Sequence, residues 1–103
     1  MVNDHHKGRI DLFFLMKTII QVLKGYTFKT RNPAVQGIHI LTGSLKVGDV
    51  IHNENGRGVG VVRQMQKDGI TIPEAKQNFK IACSIDNCEI GRDIFEEKTY
   101  YIF

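Results

Sequence analysis

The chain has 103 residues, 42% of them hydrophobic, and carries a formal net charge of +3 with a pI near 9.0. This length and composition predict one globular domain with a single core and exclude an intrinsically disordered chain. Because the basic residues are spread along the chain without a block, the charge permits contact with nucleic acid but does not require it.

The two cysteines, Cys83 and Cys88, are too few for a disulfide framework or a cysteine-based zinc site. They favour a reducing environment and therefore a cytoplasmic protein. Cys83 falls on a strand face that we expect to be buried, so we predict an unreactive core thiol. Cys88 is expected to be more exposed.

The first 16 residues are predicted to be a leader that is either loosely ordered or packed on the rest of the chain. Residues 1–9 are polar and lack a hydrophobic period. The apolar run at residues 12–16 is too short to span a membrane, is followed by Lys17 and lacks a small-residue cleavage site. We therefore predict neither a signal peptide nor a membrane span, and Met16 is an alternative start.

Two segments after Lys17, residues 18–28 and Ala34–Thr42, alternate as strands with one buried face. The positions of the first strand that are predicted to point inward are Ile20, Val22, Tyr26 and Phe28. A basic turn at residues 29–33 ends this strand, because its proline cannot continue the ladder. The alternation of the second strand turns His39 to the outer face.

Two shorter strand patterns follow, Val50–His52 and residues 58–66, and an Asn-Gly pair at 55–56 predicts a hairpin turn between them. The alternation of the second one breaks at residues 61–62, which predicts a β-bulge. Residues 73–76 begin with proline and are predicted to form at most one helical turn.

Residues 79–86 show the clearest alternation, and residues 99–103 form the last predicted strand. The positions of residues 79–86 predicted to face the core are Phe79, Ile81, Cys83 and Ile85. Short strands and Gly-rich turns together predict an all-β fold, a small closed antiparallel β-barrel of about six or seven strands with little helix. Closure is favoured because an open sheet of this size would leave unpaired edges.

The sequence contains no P-loop and no Ser-His-Asp or Cys-His pattern that would indicate catalysis. His39 and His52 would bind a metal only if they met across the sheet, and no third ligand is suggested. We therefore predict that the protein is not an enzyme and holds neither a metal nor a cofactor.

Three segments follow a pattern found in one protein family. They are Asn-Pro-Ala-Val at 32–35 with Gly37, the turn at 43–51 in the form G-x-[LI]-[KR]-x-G-[DE], and residues 59–67 with a Gly-Arg turn at 91–92. Their order and spacing resemble the last β-barrel of translation initiation factor 5B, the archaeal and eukaryotic counterpart of bacterial initiation factor two.

This resemblance implies that residues 17–103 form a barrel of the type of elongation factor Tu domain 2. Two positions depart from the family pattern. Asn78 stands where the family usually has glycine, and Glu97 and Lys98 stand where it has Gly-Asp. The resemblance fits either a stand-alone copy of this barrel or a part of a longer factor.

What the resemblance implies about function is binding of the acceptor end of initiator aminoacyl-tRNA, or of the ribosome. The sequence leaves the oligomeric state open and favours a monomer. The candidate contacts at the ends of the fourth and fifth predicted strands are Arg63, Gln64, Lys67 and Lys80. Cations and hydrogen-bonding side chains on a shallow surface suit an unpaired RNA end. The alternative is a protein–protein interaction module, with a partner among the translation factors and no RNA binding.

Overall fold

The computed structural model describes residues 17–103, and these residues form nine β-strands and no helix. The predicted leader at residues 1–16 lies outside the described residues. In the described part of the chain there is accordingly no helix long and apolar enough to cross a membrane. The strands are β1 Thr18–Lys29, β2 Ala34–Thr42, β3 Ser44–Lys46, β4 Val50–His52, β5 Gly58–Lys67, β6 Ile70–Ile72, β7 Glu74–Lys76, β8 Lys80–Asp86 and β9 Thr99–Ile102.

Six antiparallel strands close into a barrel in the order β4-β9-β1-β2-β8-β5, and β5 pairs back with β4. β6 pairs with β5 at one side of the barrel, and β3 and β7 form a separate two-stranded sheet. The predicted fold, a closed antiparallel β-barrel, is therefore confirmed. Closure pairs the strand edges that an open sheet would leave free.

The core fills the barrel with side chains from the inward-facing positions of its strands, together with Leu45 of β3 and Ile94 of the loop after β8. Its largest fully buried apolar members are Ile20, Val22, Ile38, Ile40, Leu45, Ile51, Val62, Met65, Ile85 and Ile94.

Cys83 is fully buried as predicted, but Cys88 is only 6% exposed, so the prediction for Cys88 was wrong. The loop after β8 folds onto β5, where a Cβ on Gly60 would lie 3.1 Å from the Cβ of Cys88. Burial raises the pKa of both thiols from 9.0 to about 12.

The helical turn predicted at residues 73–76 is also wrong, because Glu74–Lys76 is the strand β7. β7 pairs with β3, which places Ala75 opposite Leu45, and both side chains are fully buried. The pairing buries both side chains, whereas so short a helix is marginal on its own. Tertiary contact therefore overrides the local preference of a proline followed by Glu-Ala-Lys.

The second half of β1 stays paired with β2 but departs from the regular register of the barrel. β1 advances by five residues from Val22 to Thr27, while β2 advances by only two from Ile38 to Gln36. The extra residues form a wide bulge, and we call residues 23–29 the arm. Its aromatic side chains, Tyr26 and Phe28, are 56% and 64% exposed, so the prediction that they point inward was wrong.

Candidate nucleic-acid interface

The outer face of β8 and β5 carries a row of small and polar side chains. On β8, Lys80, Ala82 and Ser84 alternate with buried residues and point outward. Across the ladder, Gln66 lies opposite Ala82, and Gln64 lies opposite Ser84. We call these five residues the strip. Two of the four predicted contact residues, Gln64 and Lys80, belong to it.

A β-bulge in β5 directs Arg63 away from the regular alternation. The register between β5 and β8 shifts between Val62 and Gln64, which leaves Arg63 as the extra residue. The sequence predicted a bulge in this strand, and the structure confirms it one residue further along. Bulges of this kind re-aim side chains next to functional sites. Arg63 is 59% exposed and lies 3.4 Å from a carboxylate oxygen of Asp86.

At the Arg63 end of the strip lies a cleft of about 720 Å³. We call it the arginine cleft, because Arg31, Arg63 and Arg92 all line it. Arg31 and Arg92 lie 3.8 and 3.5 Å from the carboxylate of Glu89. Exposed pairs at such distances stabilise the fold very little, because water and salt screen them. The approach of Arg31 to Glu89 is too long for a hydrogen bond, so the N–H groups of Arg31 stay available to another acceptor.

Arg92 is held more firmly than the other two arginines. Its Nη2 and Nε donate to Oδ2 of Asp93 at 2.9 and 3.2 Å, and the same carboxylate accepts from the backbone N–H of Glu89 at 2.8 Å. The hydrogen bond from Arg92 is the largest of the effects that lower the pKa of the Asp93 carboxyl. This network fixes the loop after β8 at the edge of the arginine cleft.

A second cavity, of about 400 Å³, lies between the arm and the strip, and we call it the groove. Tyr26 and Phe28 line it on one side, with their ring centroids 6.4 Å apart and their planes at 66°. Gln66 and Lys80 line it on the other side. The remaining lining residues are Leu23, Gly37, Asp68, Gly69, Ile81 and Ala82.

Gly37 allows the arm to approach the barrel closely. A Cβ placed on Gly37 would lie 2.6 Å from the Cβ of Tyr26, closer than real Cβ contacts allow. Only glycine therefore permits this packing, which gives a physical reason for the glycine in this part of the sequence pattern.

Two side chains from outside the arm hold its backbone. The fully buried Gln36 donates from Nε2 to the carbonyl oxygens of Leu23 at 2.8 Å and of Gly37 at 3.0 Å. Its Oε1 accepts from the Thr27 hydroxyl at 2.6 Å. On the other edge, the carboxylate of Glu96 accepts from the N–H of Gly25 at 2.7 Å. Sequence reasoning missed these contacts, although a glutamine on the apolar face of β2 was a signal.

The four predicted contacts do not form one cluster. Lys80 lies at the groove, Arg63 at the arginine cleft, and Gln64 between them on the strip. Gln64 donates to the Thr71 hydroxyl at 3.2 Å. Lys67 pairs with Asp68 at 3.2 Å, and its ammonium lies 5.1 Å from the centre of the Phe79 ring.

The histidine pair considered as a metal site does not form. His39 is in β2 and His52 is in β4, and these two strands are not neighbours in the barrel. The ring of His52 packs instead against Phe103, with centroids 4.8 Å apart. Among residues 17–103, no group of three or more potential ligands converges to hold a metal ion.

Residues 17–101 match the family model of elongation factor Tu domain 4. The probable translation initiation factor IF-2 of Methanopyrus kandleri is 41% identical over 82 residues, which are 80% of this chain and 14% of that protein. The corresponding protein of Methanosarcina acetivorans is 34% identical over 93 residues, 85% of this chain and 16% of that protein. The chain thus spans about one seventh of the length of these relatives.

Among solved structures, GDP-bound aIF5B from Aeropyrum pernix superposes with a TM-score of 0.79 at 24% identity. The match covers 96% of this chain and 17% of that one. The bacterial selenocysteine-specific elongation factor EF-Sec superposes with a TM-score of 0.63 at 21% identity. That match covers 98% of this chain and 16% of the EF-Sec chain. Both likenesses concern the fold.

Proposed function

The chain belongs to the IF-2/aIF5B family of translation initiation factors, as a C-terminal β-barrel domain, and on that premise we propose that it binds the acceptor end of initiator aminoacyl-tRNA. The domain that it matches is a part of IF-2-like factors other than the GTPase. The proposed role is therefore recognition without catalysis, carried out in the cytoplasm during translation initiation, with the ribosome as the nearby second ligand.

The observation that carries this proposal is the continuity of the strip with a cavity at each end. Lys80 at the groove and Asp86 at the arginine cleft are the ends of β8, which separates them by about 20 Å at the usual rise per residue. Between them the surface offers small side chains and two glutamine amides. An extended, unpaired RNA end would therefore meet a cation, hydrogen-bonding amides and further cations in turn.

Each candidate contact has a physical role in this proposal. Arg63 would bind a phosphate with two parallel hydrogen bonds, since its contact to Asp86 is long and exposed. Gln64 would reach a base edge or a 2′-hydroxyl. Lys80 would contribute a point charge near the groove. Lys67, already paired with Asp68, would contribute less.

The proposal is tested by titrating labelled initiator tRNA, aminoacylated and not, and measuring fluorescence anisotropy at low and at physiological salt. We expect tighter binding of the aminoacylated form and binding that survives physiological salt. Arg63→Ala and Lys80→Ala should each weaken binding about tenfold, as expected for the loss of one charge-assisted contact. Lys46→Ala, which removes an exposed lysine from β3, away from the strip, is the matched control and should leave the affinity unchanged.

Two results would overturn the proposal. One is the absence of binding. The other is equal binding of any RNA with loss at physiological salt, which is what simple counterion release predicts. Either result would favour the alternative, a module that binds a protein partner among the translation factors.

A further inference from the structure

The aromatic side chains of the arm are exposed at a built cavity and not scattered over the surface. Tyr26 and Phe28 have no role in the core, and both line the groove. Single exposed apolar residues are ordinary, but a paired set that lines a cavity indicates a binding site. Its volume, about 400 Å³, lies within the usual range for small-molecule sites, about 300–1,000 Å³.

The polar groups of the groove define the chemistry of its ligand. Besides the two rings, the groove is lined by Gln66, Lys80 and Asp68, and the carboxylate of Asp68 is paired with Lys67 at 3.2 Å. Within residues 17–103, no carboxylate forms a salt bridge with Lys80, in contrast to Arg63 and Lys67. An aromatic platform beside an amide and a lysine without a salt bridge suits a planar heterocycle that carries a negative charge close by, since the Asp68 carboxylate is paired with Lys67.

The platform is held in place before any ligand arrives. Gln36 fixes the carbonyl of Leu23 and the hydroxyl of Thr27, which lie on either side of Tyr26. Glu96 fixes the amide of Gly25, and Gly37 lets Tyr26 rest directly on β2. A preorganised platform binds more tightly because less conformational entropy is lost on binding.

We propose that the groove binds one unpaired nucleotide, with its base stacked on Tyr26 or Phe28 and its phosphate at Lys80, and that Gln36 positions the arm for this contact. This inference rests on the proposed function and deepens it, since it names the part of an RNA end that the groove takes. Paired bases are excluded from such a contact because their faces are already stacked in the helix.

The test uses the full chain and a short single-stranded RNA oligonucleotide, with the same oligonucleotide annealed to its complement for comparison. Phe28→Leu keeps an apolar side chain of similar size but removes the ring. We expect it to weaken single-strand binding about tenfold, as the loss of one stacked base implies. Phe95→Leu is the matched control, because Phe95 is also exposed and has the Lys98 ammonium 5.3 Å from its ring centre. It should leave the affinity unchanged.

The role of Gln36 needs a readout that a general loss of stability would not change. Gln36→Leu should speed hydrogen exchange at the amides of Gly25 and Thr27 while the amides of β8 remain protected. It should also weaken binding of the oligonucleotide. An equal rise in exchange throughout the barrel would show a merely structural glutamine and overturn this part of the proposal.

The nucleotide site is overturned if Phe28→Leu and Phe95→Leu have the same effect, or if the duplex binds as well as the single strand. These outcomes differ from a failure of the proposed function. If initiator tRNA binds but Phe28→Leu changes nothing, the function stands and the nucleotide site is wrong. If the oligonucleotide binds through Phe28 but aminoacylation makes no difference, the site stands and the tRNA proposal fails.

Discussion

Replacing Glu97 with glycine should stabilise this barrel. The backbone of Glu97 has a φ of 71°, in the left-handed region, while its N–H donates to the carbonyl of Val22 at 2.7 Å. A side chain in this conformation places its Cβ against the carbonyl oxygen that follows, at a cost of roughly 1–2 kcal/mol. Glycine avoids that cost but loses more backbone entropy on folding, by roughly 0.5–1 kcal/mol. Glu97→Gly should therefore raise the free energy of unfolding by about 0.5–1 kcal/mol.

Urea denaturation followed by circular dichroism measures this change. The midpoint should rise while the slope with denaturant stays constant, since the surface exposed on unfolding is the same. For a domain of this size, a gain of about 1 kcal/mol corresponds to roughly 4–8 °C in the melting temperature. Glu97→Ala is the control, because it removes the carboxylate and keeps the Cβ.

The two variants separate the backbone from the charge. If only the glycine variant is stabilised, the left-handed conformation is the cause. If Glu97→Ala gains as much, the effect comes from removing a charge, and the conformational reasoning is refuted. A loss of stability in Glu97→Gly would refute it outright.

Asn78 also has a left-handed backbone, with a φ of 74°, but asparagine tolerates it. In the same urea assay, Asn78→Gly should change the free energy of unfolding by only about a few tenths of a kcal/mol, and Asn78→Ala should lower it by about 1 kcal/mol. Gly60→Ala would place a Cβ 2.5 Å from Cγ2 of Ile85 and should cost about 1–3 kcal/mol in the same assay. Burial raises the pKa of the Cys83 and Cys88 thiols from 9.0 to about 12, so above pH 9 these thiols ionise more readily in the unfolded chain than in the fold. The free energy of unfolding should therefore be unaffected by these thiols below pH 9 and should fall as the pH rises towards about 12, which a series of melting temperatures would show.

The strands with regular alternation could be predicted from the sequence. β2 and β4 begin and end at the predicted residues, and β8 begins one residue after the predicted start at Phe79. In these strands the inward positions are apolar apart from Gln36 in β2, so burial follows the period of two. β3 and β7 could not be found in this way, because strands of three residues are too short to show a period. β4 is equally short, but the Asn-Gly turn that follows it marks it as one arm of a hairpin.

The arm shows where the same argument fails. Tyr26 and Phe28 continue the apolar alternation of β1, and the period alone does not distinguish a core position from an exposed one. Their exposure follows from the bulge, which depends on Gly25 and on contacts that Gln36 makes across the sheet. For the same reason the groove was missed, although Lys80, one of its lining residues, was among the predicted contacts.

The pairing of β1 with β9 gives the barrel a mechanical weak point. Thr18 lies directly opposite Ile102, so β1 and β9 lie side by side in one antiparallel ladder, with the start of β1 next to the end of β9. A force pulling on both ends of this segment would load the ladder one hydrogen bond at a time, because antiparallel bonds run perpendicular to the strands. Under tension the barrel should therefore open like a zipper along this seam, while β2, β8 and β5, on the far side of β1, still hold together.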